Sequence, residues 1–151
     1  MKKQLRKDEI EEFDKQVFEN YNLKFFLGKK KVESTDDSII IDSKEVFIKK
    51  DGLLIPSLRS LQDNCFLKKV VVDRGAIPFV CKGADIMRPG IVEFDSDINK
   101  NDIVAVVDVT HKKPIAVGKM IMSGDEAKLL STGRIVQNIH FVGDLFWNRS
   151  T

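Results

Sequence analysis

Hydrophobic positions change their spacing several times along this chain, and the changes mark its elements. Ile10, Phe13, Val17 and Tyr21 recur three or four residues apart with charged residues between them, the signature of one helical face. Asp8 followed by Glu11 reads as an N-cap with its reciprocal partner, which predicts a helix over about Glu9 to Asn20. Leu23 to Leu27 reads as a strand, Ser34 to Ser38 as a loop, and Ile39–Ile41 and Val46–Ile48 as two short strands. Asp51-Gly52, between VFIKK and LLI, predicts a tight hairpin because both residues tolerate positive φ. Ser57 is placed to cap a helix that carries Leu58, Leu61 and Cys65 on one side.

The second half begins with the apolar strand Val70–Val72, whose β-branched residues suit a buried pleated surface. Asp73 ends it and reads as a carboxylate capping the next helix. Ile77, Phe79, Val80 and Cys81 form a compact segment able to turn an apolar side inward, and Gly83 supplies a left-handed end. Asp85 to Pro89 reads as a loop, and Pro89-Gly90 as a turn into a strand over Ile91–Phe94. Strands are expected over Ile103–Val109, Ile115–Met122 and Ile135–Val142, with Gly118 marking a bulge, and a short helix over Ser123–Leu130. Short strands at close spacing indicate a small closed or nearly closed barrel. Phe141, Leu145, Phe146 and Trp147 are read as core.

Composition excludes several classes. With 42% apolar and 32% charged residues in 151, the chain is expected to be a soluble globular protein. Its longest apolar run, Ile103–Val107, is far too short to span a membrane. No apolar stretch follows the basic N-terminal residues, so no secretory signal and a cytoplasmic location are expected. The net charge of +2 lies in the second half, the first 66 residues being balanced. A local patch would therefore have to carry any nucleic-acid binding. Cys65 and Cys81 read as small buried hydrophobes, and two Cys with two His at these spacings suggest no zinc site.

Catalytic signatures are missing: there is no phosphate-binding loop, dinucleotide fingerprint or serine elbow. No catalytic residue, metal or cofactor is expected, and the protein is read as not being an enzyme. Recognition remains. The loop from Lys82 to Arg88 is expected to expose backbone N–H groups beside two cations, a corner able to hold a phosphate. Gly83 would permit close approach of a ligand, and Lys119, after Gly118, would face the same groove. The run Lys29–Lys31 reads first as a solvated strand edge and only second as a further contact.

Val72-Asp73-Arg74-Gly75-Ala76, Lys82-Gly83-Ala84-Asp85, Met87-Arg88-Pro89-Gly90-Ile91, Gly118-Lys119 and the segment His140 to Trp147 together resemble a PUA domain, the RNA-binding module of pseudouridine synthases and archaeosine transglycosylases. The preceding segment resembles the N-terminal half of the malignant T-cell-amplified-sequence family, translation proteins, and in particular its short stand-alone archaeal members. The resemblance implies an α+β protein, with a small N-terminal pre-PUA α/β domain (1–65) packed on a C-terminal PUA-like β-barrel (66–151). It implies a non-catalytic RNA-binding protein acting in translation or in tRNA or rRNA handling, holding structured RNA or an RNA 3′ end at the glycine loop. The candidate RNA-binding residues are Arg74, Lys82, Gly83, Ala84, Asp85, Arg88, Gly118 and Lys119. The alternative is a protein–protein adaptor that works with another translation factor.

Overall fold

A computed structural model describes residues 1–23 and 30–149. The expected strand at Leu23–Leu27, apart from Leu23, and Lys29 of the Lys29–Lys31 run fall on residues outside those described. Contacts divide the chain into two compact units, Met1–Leu54 and Ile55–Thr151, and the architecture is the α+β one expected.

The first unit opens with β1 (Lys3–Gln4) and α1 (Lys7–Tyr21). The helix starts earlier than its sequence suggested, because Arg6 and not Asp8 is the N-cap. Glu9 reaches back to accept from the Arg6 amide at 3.1 Å, leaving Asp8 in the first turn. Asn22 closes the helix at φ 53°, a left-handed position that Asn tolerates. Phe13 and Val17 are buried, and Phe13 meets Phe47 edge-on at 5.4 Å. Then follow β2 (Val32–Ser34), β3 (Ser38–Ile41), β4 (Lys44–Lys50) and β5 (Leu53–Pro56), in a sheet ordered β1-β2-β3-β4-β5. The Asp51-Gly52 hairpin forms as expected, with φ of 53° and 76°.

The second unit contains α2 (Leu58–Asp63), β6 (Lys69–Val72), α3 (Ile77–Val80), β7 (Ile86–Met87), a 3-10 turn (Arg88–Gly90), β8 (Ile91–Phe94), β9 (Ile103–Asp108), β10 (Pro114–Met120), α4 (Gly124–Lys128), β11 (Arg134–Phe141) and α5 (Leu145–Arg149). Its sheet runs β7-β11-β10-β9-β6-β8 and curls into a nearly closed barrel. Every pairing described in it is antiparallel except β6 with β9. Ser57 caps α2 by accepting from the Ser60 amide at 3.2 Å, but Cys65 lies beyond the helix end. α2 belongs to this unit because Gln62 Nε2 donates to the Pro114 carbonyl at 3.0 Å and the Leu58 amide donates to His140 Nε2 at 3.1 Å.

The barrel core is formed by Val70, Val72, Val80, Ile86, Val104, Val106, Met120, Ile135 and Val136, among others. Register shifts between Val117 and Gly118, where the bulge was expected. Both cysteines are half-buried, and burial pushes both thiols above their ordinary pKa. The terminal apolar cluster is only partly core: Phe146 and Trp147 are half-buried, but Leu145 is 84% exposed. No helix of the described residues is long and apolar enough to cross a membrane.

Candidate nucleic-acid interface

The site is built where β6 gives way to α3. The Asp73 amide donates to the Gly90 carbonyl at 2.9 Å, and its carboxylate accepts from the Ala76 amide at 3.0 Å. That second bond closes the turn that leads into α3; the N-cap of the helix is Ala76, without a side-chain cap, so the capping role read for Asp73 is corrected. In a helix of one turn, residues at i, i+3 and i+4 share a face. Ile77, Val80 and Cys81 accordingly pack toward the core, and Phe79 is left 65% exposed. The expectation that Phe79 turns inward is thus corrected, and the spacing itself carried the signal.

The loop beyond α3 differs from the phosphate corner expected of it. The amides of Lys82 and Ala84 both donate to the Phe79 carbonyl at 3.1 Å, and that of Gly83 to the Val80 carbonyl at 3.0 Å. The Arg88 amide donates to the Gly133 carbonyl at 2.8 Å. These N–H groups are taken within the fold. Gly83 does sit at φ 94°, but a Cβ there would meet Phe141 Cε1 at 3.0 Å. Glycine is required by backbone conformation and by Phe141.

Asn138, which the sequence reading passed over, holds the loop down. Its Nδ2 donates to the carbonyls of Val80 at 3.1 Å and Ala84 at 2.9 Å, and its amide donates to Asp85 Oδ1 at 2.9 Å. Asp85 Oδ2 pairs with Arg134 Nε at 3.4 Å, and the arginine side chain stays 58% exposed. Nothing local to Asn138 or Arg134 announces a role, because both act on residues some fifty positions earlier in the chain.

Arg88 is half-buried, with Nε donating to the Ala127 carbonyl at 2.9 Å and Nη1 to the Ile91 carbonyl at 3.0 Å. Its guanidinium is a strut between the 3-10 turn, β8 and α4, not the open surface fork expected. Gly118 is buried, and a Cβ there would strike Val136 Cγ1 at 2.4 Å and the Gln137 carbonyl at 2.6 Å. Ala116 and Met120 on β10 join the core that Val80 shares. By strand alternation, Lys119 therefore faces the other side of the sheet from α3. Of the expected cations, Arg74 and Lys82 are exposed, on segments that flank the cleft beside α3.

That cleft measures about 450 Å³ and is lined by Asp73, Gly75, Ala76, Phe79, Val80, Ala84, Asp85, Ile86, Met87, Pro89 and Gly90. No lining residue is cationic. Its features are an exposed ring, the 47% exposed Met87 and two carboxylates. A flat, apolar group with donors on its edge fits this chemistry, and the charges that could attract an anion stand outside it. Among the described residues no cluster of His, Cys, Asp and Glu could hold a metal ion.

A small barrel with a short helical turn and a glycine loop leading into an edge strand defines the class, a PUA domain, and the PUA domain family matches residues 68–142. The chain belongs to the PUA-domain proteins of the malignant T-cell-amplified-sequence type. It is 43% identical to an uncharacterised protein of Methanocaldococcus jannaschii over 94% of this chain and 88% of that one. It is 41% identical to translation machinery-associated protein 20 of Schizosaccharomyces pombe over 64% of this chain, and 32% identical to malignant T-cell-amplified sequence 1 of Danio rerio over 70%. The chain spans 56% and 60% of the length of those two relatives. Among solved structures, a PUA domain from Aeropyrum pernix matches with a TM-score of 0.88 and 25% identity, over 99% of this chain and 90% of that one. An H/ACA ribonucleoprotein bound to a substrate RNA matches with a TM-score of 0.52 and 26% identity, over 62% and 28%.

Proposed function

We propose that this protein is a non-catalytic RNA-binding protein acting in translation or in tRNA or rRNA handling, and that its cleft beside α3 receives an unpaired base at or near an RNA end. As domains, residues 1–65 are assigned as the pre-PUA α/β domain and residues 66–151 as the PUA domain from the family match, which begins at residue 68, although the second compact unit already starts at Ile55 and takes in α2. The observation that carries the reading is Phe79, a ring held 65% exposed at the wall of an apolar cleft. Unpaired bases in RNA are typically taken by stacking on such rings. Arg74 and Lys82 would meet flanking phosphates, Ala84 would line the cleft and Asp85 would help to read a base edge. Gly83, Arg88 and Gly118 shape the fold around the site, and Lys119 serves another face. The names of the relatives, translation machinery-associated protein 20 among them, support the translational setting, as does the RNA held by the H/ACA assembly.

The test is titration of a fluorescent single-stranded oligoribonucleotide with wild-type protein and with Phe79→Ala. Loss of one stacked base should weaken binding by about 1–3 kcal/mol, roughly 5- to 150-fold. Unchanged affinity in a folded Phe79→Ala protein would remove the cleft from consideration.

A further inference from the structure

A second concavity lies wholly within the first unit, where the RNA reading has no use for it. It is a groove of about 760 Å³ between the N-terminal half of α1 and the sheet. Leu5, Phe13, Ile39, Leu53 and Leu54 supply its apolar lining. One wall carries Glu9, Glu12 and Gln16, which lie on the α1 side at spacings of three and four, so they form a line along the groove. The opposite wall offers Lys49, whose Nζ is already engaged with the Thr35 carbonyl at 3.3 Å. Asp8 pairs with Arg6 at exposed positions, where such a pair is weak and readily exchanged, whereas Glu9 is only 25% exposed and is held by Lys3 and by the Arg6 amide. Among the described residues Glu12 has no ion pair.

Two features decide the occupant. Carbon dominates the interior and the charged groups stand on the rim, whereas a small-molecule site aims its polar groups inward. The rim is acidic along one side only. That is complementary to a chain segment with an apolar face and a flank of basic residues, the helix-in-groove mode of recognition. We propose that this groove docks a basic amphipathic segment of a protein partner, apolar side chains against Phe13 and Leu53 and Lys or Arg side chains along the exposed Asp8 and Glu12, one turn apart on α1. The site gives the adaptor role a physical place, and it stands or falls independently of RNA binding in the second unit.

The test uses the full chain and a pair of fluorescein-labelled synthetic helices. One has leucines at i, i+3, i+4 and i+7 flanked by lysines; its twin has glutamates in place of the lysines. Affinity is read by anisotropy, and the binding face by amide shift changes in the ¹⁵N-labelled protein. The lysine helix should bind saturably, shift the amides of Leu5, Phe13 and Leu53, and weaken about fivefold with Glu12→Lys, an exposed substitution that the fold tolerates. Gln16→Lys should act in the same direction. The glutamate twin should bind at least about tenfold more weakly than the lysine helix. Equal binding of the two helices, or shifts confined to residues outside the groove, overturns the proposal. So does a concentration-dependent dimer that Glu12→Lys dissolves, since a second copy of the chain would then be the occupant.

Discussion

Replacing Arg88 by methionine separates a structural cation from a ligand-binding one. The substitution keeps much of the aliphatic stem and removes both hydrogen bonds, to the Ala127 carbonyl at 2.9 Å and to the Ile91 carbonyl at 3.0 Å. Hydrogen bonds from a charged donor contribute about 1.5–3 kcal/mol each. Arg88 is only half-buried, so water can reach part of the vacated site, and the loss is discounted to about 2–3 kcal/mol in all. For a unit of this size that lowers Tm by on the order of 10 °C. Lys82→Met, at an exposed position, should change stability by less than about 0.5 kcal/mol. Its signature should appear in RNA titrations across a salt series, as a log–log slope shallower by about 0.7 for one lost phosphate contact. Urea melts and anisotropy titrations on both variants make the comparison. An Arg88→Met protein that melts with the wild type yet loses affinity and salt slope would refute the argument, and Arg88 would return to the phosphate contacts.

Other outcomes follow from the same geometry. Oligomers of C or A should bind the cleft more tightly than oligomers of U, because Asp73 and Asp85 can accept from an exocyclic amino group; equal affinities, measured at fixed salt, would count against base reading there. Gly83→Ala should cost about 1–2 kcal/mol from its positive φ and the crowding of Phe141. Gly118→Ala should cost more, because the Gln137 carbonyl in its path is backbone, and the reverse order in urea melts would refute this. Acid stability should report Asp144. Burial alone would raise its carboxyl, but bonds from His140 and from the Trp147 and Phe141 amides outweigh that and hold it below the usual carboxylate range. A carboxyl depressed in the folded state stabilises above its unfolded pKa, near 4, and that stability is lost as pH falls through the folded value. Asp144→Asn should flatten the acid limb of the stability profile, and an unaltered limb would clear Asp144 of the role.

Legibility followed the range of the interactions. Val70–Val72 and Ile103 onward could be read as strands because their own side chains are what the barrel buries. The Asp51-Gly52 hairpin was equally local. β2 was not legible, since Val32-Glu33-Ser34 carries one apolar residue and becomes a strand by pairing with β1 and β3. Asp8 looked like the cap from its own neighbourhood, but Arg6 and Glu9 closed the turn first. At the site, several side chains point elsewhere than expected. Arg88 reaches the Ala127 carbonyl, and Asn138 reaches Val80 and Ala84; no short-range pattern encodes contacts at such separations.

What the folded chain does with its charges bears on how RNA binding should be measured. The cleft interior offers a ring, aliphatic carbon and two carboxylates, with the free cations Arg74 and Lys82 outside it. Phosphate neutralisation and base capture are therefore carried by different residues. Neutralisation releases counterions and sets the slope of affinity against salt. Stacking displaces few ions and sets affinity at any given salt. Phe79→Ala should accordingly lower the whole line without tilting it, and Lys82→Met should tilt it. A site in which one groove held the phosphates directly would have mixed the two effects in every variant. Because Arg88 is held in the fold and Lys119 faces elsewhere, the phosphate term here should be small, and binding that persists at high salt is the property this arrangement favours.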